Sequence, residues 1–153
     1  MRNLTLAVAT LCLLACESSG SGSVRARFTV MDKFGVPTDQ FTVGETITFR
    51  LTVSNLSDAP VTYSAPRPRS DVAVERDSAP VWSFHFGKAF PAVVDIEVLE
   101  ANETVTFEME WDGTDNQGAQ VSPGPYDAVP SLNWLIGDTA IPIRPASRRI
   151  VLQ

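Results

Sequence analysis

Across residues 46–53 the apolar side chains Ile47, Phe49, Leu51 and Val53 alternate with Thr46, Thr48, Arg50 and Thr52. The same period of two recurs over Thr104–Trp111, where Val105, Phe107, Met109 and Trp111 alternate with Thr104, Thr106, Glu108 and Glu110. In an extended chain, successive side chains point to opposite sides. Each stretch therefore predicts a strand with one face on a core and the other in water. Neither gives a stripe at helical spacing. Shorter apolar or alternating runs predict further strands at 25–31, 40–43, 61–64, 72–76, 81–86, 95–99, 128–134 and 149–152. Within 81–86 the alternation assigns Trp82, Phe84 and Phe86 to one face, leaving Ser83 and His85 on the other.

Turn residues fall between these runs. Gly44-Glu45 suits a tight turn, 55–60 a loop and 101–103 a hairpin connection. All 11 prolines lie within 24–153, almost all at such boundaries. Short strands punctuated by Pro and Gly predict an all-β fold, an immunoglobulin-like antiparallel β-sandwich of about seven to nine strands. The Cys…Trp…Cys pattern of antibody domains is absent, so packing alone must hold it.

Composition narrows the function classes. The 153 residues suffice for one domain, and their net charge of -6 argues against a general binder of nucleic acid, which needs clustered cations. It also argues against adsorption to anionic lipid by charge alone. The basic pairs Arg67/Arg69 and Arg148/Arg149 are too small to reverse that reading.

The first residues differ in kind. Arg2 precedes an apolar run over 4–14, interrupted only by Thr5 and Thr10. This run is short of the roughly 20 residues a spanning helix needs, and it fits the apolar region of a signal peptide. It ends in Leu13-Leu14-Ala15-Cys16, which resembles a bacterial lipobox: a small residue before the scissile bond, then a Cys whose thiol accepts diacylglycerol. The expected organisation is a signal peptide over 1–15, a lipidated Cys16 with a Ser/Gly tether over 16–23, and one domain over 24–153. The implied location is the bacterial cell envelope, with the domain membrane-anchored and facing the periplasm or exterior. An ordinary secretory signal with an incidental Cys, or a small N-terminal anchor, is the alternative. Cys12 would leave with the signal, so the domain would carry no disulfide, no Cys metal site and no Cys nucleophile.

Candidate chemistry is sparse. His85 is the single histidine, and no G-x-S-x-G accompanies it, so neither a Ser–His–Asp triad nor a zinc site is expected. Glu108 with Glu110, and Asp95 with Glu97, each share a strand face, which reads as a solvated surface rather than a catalytic pair. Asp112, Asp115 and Asn116 in "WDGTDNQGAQVSPGPY" supply oxygens suited to calcium, but their spacing departs from the EF-hand loop. Asp-Gly and Asn-x-Gly equally suit left-handed turn positions, which is the preferred reading, with calcium as the alternative. The segment then reads as strand end, turn and strand start of a sandwich hairpin. Asn55-Leu56-Ser57 and Asn102-Glu103-Thr104 match the N-glycosylation pattern but read as loop composition. No catalytic residue, metal or cofactor is assigned, and an enzyme is not expected. "APRPRSD" at 65–71 reads as a proline-stiffened loop presenting Arg67, Pro68 and Arg69 to a protein partner; a plain stiff connection is the alternative.

From about Ile47 to Tyr126 the chain resembles the BsuPI family of bacterial intracellular proteinase inhibitors. "FRLTVSNLSDAPVTY" is similar to the family's early strand ending in Asn. "RSDVAVERDSAPVWSF" is similar to its next hairpin, with Asp71 near the start and Val81-Trp82-Ser83 after the turn. "VLEANETVTFEMEWDG" and "DNQGAQVSPGPY" follow in order, with Trp82, Trp111, Gly124 and Tyr126 as markers. The chain departs from the family pattern at Arg67-Pro68-Arg69, at Pro91 and at Ala101-Asn102-Glu103. The resemblance implies a non-catalytic module that binds a protein, with a proteinase as candidate partner. An exported chain would not meet a cytoplasmic proteinase, so an envelope or external one is implied. The alternative is a structural or assembly component of the envelope with a non-proteinase partner. Oligomeric state is left open.

Overall fold

A computed structural model describes residues 23–144 and 146–153 of the chain. The proposed signal peptide, Cys16 and most of the tether lie outside the described residues.

The twelve described strands, in chain order, are β1 (Val24–Met31), β2 (Gln40–Phe41), β3 (Ile47–Asn55), β4 (Val61–Pro66), β5 (Ser70–Arg76) and β6 (Ala79–Ser83), then β7 (Val94–Leu99), β8 (Thr104–Trp111), β9 (Gly124–Leu132), β10 (Leu135–Ile136), β11 (Thr139–Ala140) and β12 (Arg148–Leu152). They form sheets in the orders β1-β3-β8, β2-β12-β9-β5-β6 and β11-β10-β4-β7. Every run predicted from alternation contains a strand. The pair β10 and β11 was not predicted, because two-residue strands are too short to show a period.

The β1-β3-β8 and β2-β12-β9-β5-β6 sheets pack face to face as a β-sandwich. Ile47, Phe49, Leu51 and Val53 of β3 are fully buried, as their alternation requires. Phe49 and Trp111 meet Trp82 across the interface at ring-centroid distances of 6.2 and 6.1 Å, and Trp111 meets Tyr126 edge-on at 5.9 Å. The marker residues thus join the sheets, each aromatic pair adding about 0.5–1.5 kcal/mol beyond its buried area. Tyr63 of β4 stacks on the fully buried Trp134 at 4.0 Å, and Trp134 in turn meets Phe107 of β8 edge-on at 5.8 Å, which ties the third sheet to the same core. All described strands and this core lie within 24–153.

Four expectations are corrected. The strand at 81–86 ends at Ser83, where the Phe86 amide donates to the Ser83 carbonyl in a turn; Phe84 still packs on the core, but Phe86 is exposed. The connections at 101–103 and 112–123 are not hairpins, because β7, β8 and β9 belong to three different sheets. Pairing is not wholly antiparallel, since β2 runs parallel to β12. Finally, Asp95 and Glu97 do not lie on a solvated outer face. The β4–β7 register sets Ala65 opposite Asp95 and Tyr63 opposite Glu97, on the side that packs inward. Val94, Ile96 and Val98 face out instead, 57%, 77% and 49% exposed. Among the described residues no helix is long and apolar enough to cross a membrane.

Candidate functional site

Where β4 ends, the chain turns through Arg67, Pro68 and Arg69 before entering β5 at Ser70. This loop lines a cleft of about 420 Å³ together with Phe84, His85, Phe90 and residues 106–109 of β8.

The arginines do not project freely, as the sequence suggested. The Arg67 guanidinium donates through Nε to Asp95 Oδ2 at 3.0 Å, with Nη2 at 2.9 Å from the same oxygen. Arg69 spans both acids, donating through Nη2 to Asp95 Oδ2 at 2.9 Å and through Nη1 to Glu97 Oε2 at 2.9 Å, with a further contact to Glu97 Oε1. Tyr63 Oη donates to Glu97 Oε2 at 2.8 Å. Two cations therefore sit on two anions beside a phenol. Only the β4–β7 register produces this arrangement, across 26–28 residues of sequence.

The electrostatics follow from the geometry. The Arg69 hydrogen bond, then Arg67, holds the Asp95 carboxyl below its ordinary range, while Asp95 and Glu97 hold the Arg69 guanidinium above its own. Burial first, then the hydrogen bond to Glu97, push the Tyr63 phenol well above its ordinary value, so it stays a neutral donor. The loop backbone is pinned from the far side as well: Asn133 Nδ2 donates to the Pro68 carbonyl at 2.7 Å and its amide to the Arg69 carbonyl at 3.0 Å.

His85 joins the loop to the rest of the lining. Its Nε2 bonds the Ser70 carbonyl at 3.0 Å, and because a carbonyl only accepts, the proton sits on Nε2. The ring is held edge-on between Phe84 and Phe90, each at 4.8 Å, and the buried Nδ1 has no partner. The imidazole is thus a strut between two loops. Asp71 adds a second tie, accepting from Ser83 Oγ at 2.8 Å, which joins two residues singled out by the family resemblance.

The oxygens suited to calcium are used by the chain itself. Asp112 Oδ1 accepts from the Thr114 amide at 3.1 Å and hydroxyl at 2.6 Å, and Asp115 Oδ1 accepts from the amides of Gln117 and Ala119, both at 2.9 Å. Asn116 Oδ1 accepts from the Ser83 amide at 3.0 Å and so reaches β6. No group of three or more His, Cys, Asp or Glu side chains able to hold a metal occurs among the described residues. Trp111 donates through Nε1 to the Thr114 carbonyl at 2.7 Å, and Tyr126 Oη donates to the Ser122 carbonyl at 2.7 Å while accepting from Arg76 Nη1 at 3.1 Å. Gly124 begins β9 with φ +134°, and a Cβ there would lie 2.7 Å from Arg76 Nη2.

The most buried polar residue among the described ones is one whose sequence context reads only as loop composition. Asn55, 1% exposed, donates through Nδ2 to the carbonyls of Ala59, Leu99 and Glu100 at 2.8, 3.1 and 3.0 Å. Its Oδ1 accepts from the Ser57 amide at 3.0 Å and hydroxyl at 2.7 Å. The apparent glycosylation pattern is thus an internal clamp between two loops. A strand ending in Asn and the Asn55-Leu56-Ser57 pattern were its traces in the sequence.

Comparison with known proteins places these features. The family described as BsuPI, intracellular proteinase inhibitor, matches residues 36–133. No curated protein sequence matches the chain. Among solved structures, an alkylpurine DNA glycosylase from Pseudomonas fluorescens is similar over 86% of this chain and 30% of its own, with 14% identity and a TM-score of 0.46. A β-glucosidase from Listeria innocua is similar over 83% of this chain and 16% of its own, with 14% identity and a TM-score of 0.40. The CARDB domain of a Pyrococcus furiosus protein is similar over 85% of this chain and 94% of its own, with 11% identity and a TM-score of 0.42. The chain thus spans under a third of the two enzymes, and nothing of their activities attaches to it.

Proposed function

Because the chain belongs to the BsuPI family of intracellular proteinase inhibitors, we propose that it is a non-catalytic binding module that inhibits a proteinase through the Arg67–Ser70 loop and the cleft beside it. The observation that carries this reading is the bracing of the loop. Arg67 and Arg69 tie it to β7, and Asn133 ties it to the end of β9. A loop ordered before binding loses little conformational entropy on binding, which favours tight association through a small surface. In this reading Pro68 and the apolar cleft wall at Phe90 touch the partner, and the arginines hold the loop's shape.

The proposal extends to location. The apolar run over 4–14 and the order Leu14-Ala15-Cys16 support export and lipid attachment at Cys16. Residues 17–23 then connect the anchor to β1, where the Ser23 carbonyl already accepts from the Leu56 amide at 2.7 Å. The partner would be a proteinase outside the cytoplasm.

Inhibition assays with a panel of serine proteinases test the functional reading. Inhibition that weakens at least about tenfold in Pro68→Gly or Phe90→Ser, with thermal stability nearly kept, is expected. No inhibition of any member would overturn the inhibitor reading. Loss of membrane association and of palmitate labelling in Cys16→Ala tests the anchor.

A further inference from the structure

The outer face of β7 is unusual for an edge strand. Among the described residues β7 pairs only with β4 and ends its sheet, and its register runs without a bulge. Edges of this kind are ordinarily protected by Lys, Pro, a bulge or inward-pointing charge, and the inward charges here are neutralised by arginines of the same copy. Here Val94, Ile96 and Val98 occupy the outward positions, all β-branched and at least half exposed or nearly so. The acids Asp95 and Glu97 point inward, onto Arg67 and Arg69.

We propose that β7 pairs antiparallel with β7 of a second copy of the chain, about a two-fold axis at Ile96. The sequence of the strand selects that register. An axis at Ile96 sets Ile96 against Ile96 and Val94 against Val98, so every outward position meets a β-branched apolar partner. An axis one residue earlier would set Val93 against Glu97, and one residue later Val94 against Glu100. Either would oppose an apolar side chain to a charge.

The charges permit the pairing. The same register sets Asp95 of one copy opposite Glu97 of the other, which by itself would repel. Asp95 and Glu97 are each held by an arginine of their own copy, so two formal negative charges meet two positive ones and the edge carries none in excess. A second copy is the occupant that satisfies both the register and this neutrality.

The test uses the full chain carrying Cys12→Ser and Cys16→Ser, which leaves no thiol of its own to compete. Directly opposed residues of an antiparallel pair lie about 4.5–5.5 Å apart at Cα, within reach of a disulfide. Under mild oxidation Ile96→Cys should cross-link to itself. Val94→Cys should cross-link to Val98→Cys about tenfold faster than to itself. Thr62→Cys, on the same face but one strand inward, should remain monomeric. Sedimentation of the unmodified protein should show its mass doubling with concentration, and Ile96→Lys should abolish the doubling without lowering the melting temperature. Equal cross-linking at all positions would overturn the proposal. So would a monomer at about 100 µM, whether or not that monomer captures an extended segment of another protein. Neither result bears on proteinase inhibition through the loop.

Discussion

Replacing Asn55 by Ala tests how much of the fold's stability rests on one buried amide. The side chain holds three carbonyls and receives an amide and a hydroxyl from Ser57, all in a site 1% exposed. In Asn55→Ala the carbonyls of Ala59 and Glu100, being nearer solvent, regain water, but the buried Leu99 carbonyl loses a donor. Net hydrogen bonds contribute about 1 kcal/mol each, and an unpaired buried polar group costs about 1–3 kcal/mol, which gives a loss of about 3 kcal/mol. For a domain of this size that lowers the melting temperature by roughly 10 °C.

Asn55→Asp sharpens the argument. The shape is kept and Oδ1 still accepts from Ser57, but a charged oxygen now faces three carbonyls. The introduced carboxyl should titrate higher in the folded state than its unfolded value of about 3.9, so the deficit grows as pH rises through that value and shrinks on acidification. Urea unfolding at pH 7 and pH 4 measures both variants, with Ser54→Ala, an exposed hydroxyl pair with Thr104, as a control within about 0.5 kcal/mol of the parent. An Asn55→Ala variant within about 0.5 kcal/mol of the parent would refute the clamp. So would an Asn55→Asp variant as stable as the parent at pH 7.

Four further outcomes follow from the structure. Asp95 should titrate below the ordinary aspartate range, held there first by Arg69, and Arg69→Gln should return it upward; the stability this pairing supplies is present above pH about 4 and is lost as pH falls through the lowered value, which carboxyl NMR titration will show. Asp127 should behave alike through Arg149. Tyr63 should ionise only as the protein unfolds in alkali: its folded value is raised, so stability is full below pH about 10 and declines above it, a transition visible in phenolate absorbance and displaced in Tyr63→Phe. Gly124→Ala should lose about 1–3 kcal/mol in urea unfolding, because φ +134° disfavours a side chain and the new Cβ would displace Arg76 from Tyr126.

The braced loop shows where sequence reading stopped. "APRPRSD" draws the eye to Arg67 and Arg69, and Pro66 and Pro68 announce a stiff turn. Their partners lay at 95 and 97, in a strand read as having a solvated acidic face. An Asp-Ile-Glu-Val alternation defines two faces without saying which is inward, and the usual rule would bury Ile96. The fold buries the acids because the β4–β7 register brings two arginines and a tyrosine to them. The same limit hid Asn55, whose acceptors at 99 and 100 stand across a loop junction.

By itself the sequence determined where the chain extends and where it turns, since both depend on local backbone sterics and a period that any strand must show. It also determined that the oxygens of Asp112, Asp115 and Asn116 suit a turn. Only the tertiary structure decided that neighbouring strands enter different sheets, that β7 shows its valines to solvent, and that the arginines are bound rather than offered. These depend on register and on charges meeting across distant stretches of chain, and such pairing energies exist only once the sheets have formed.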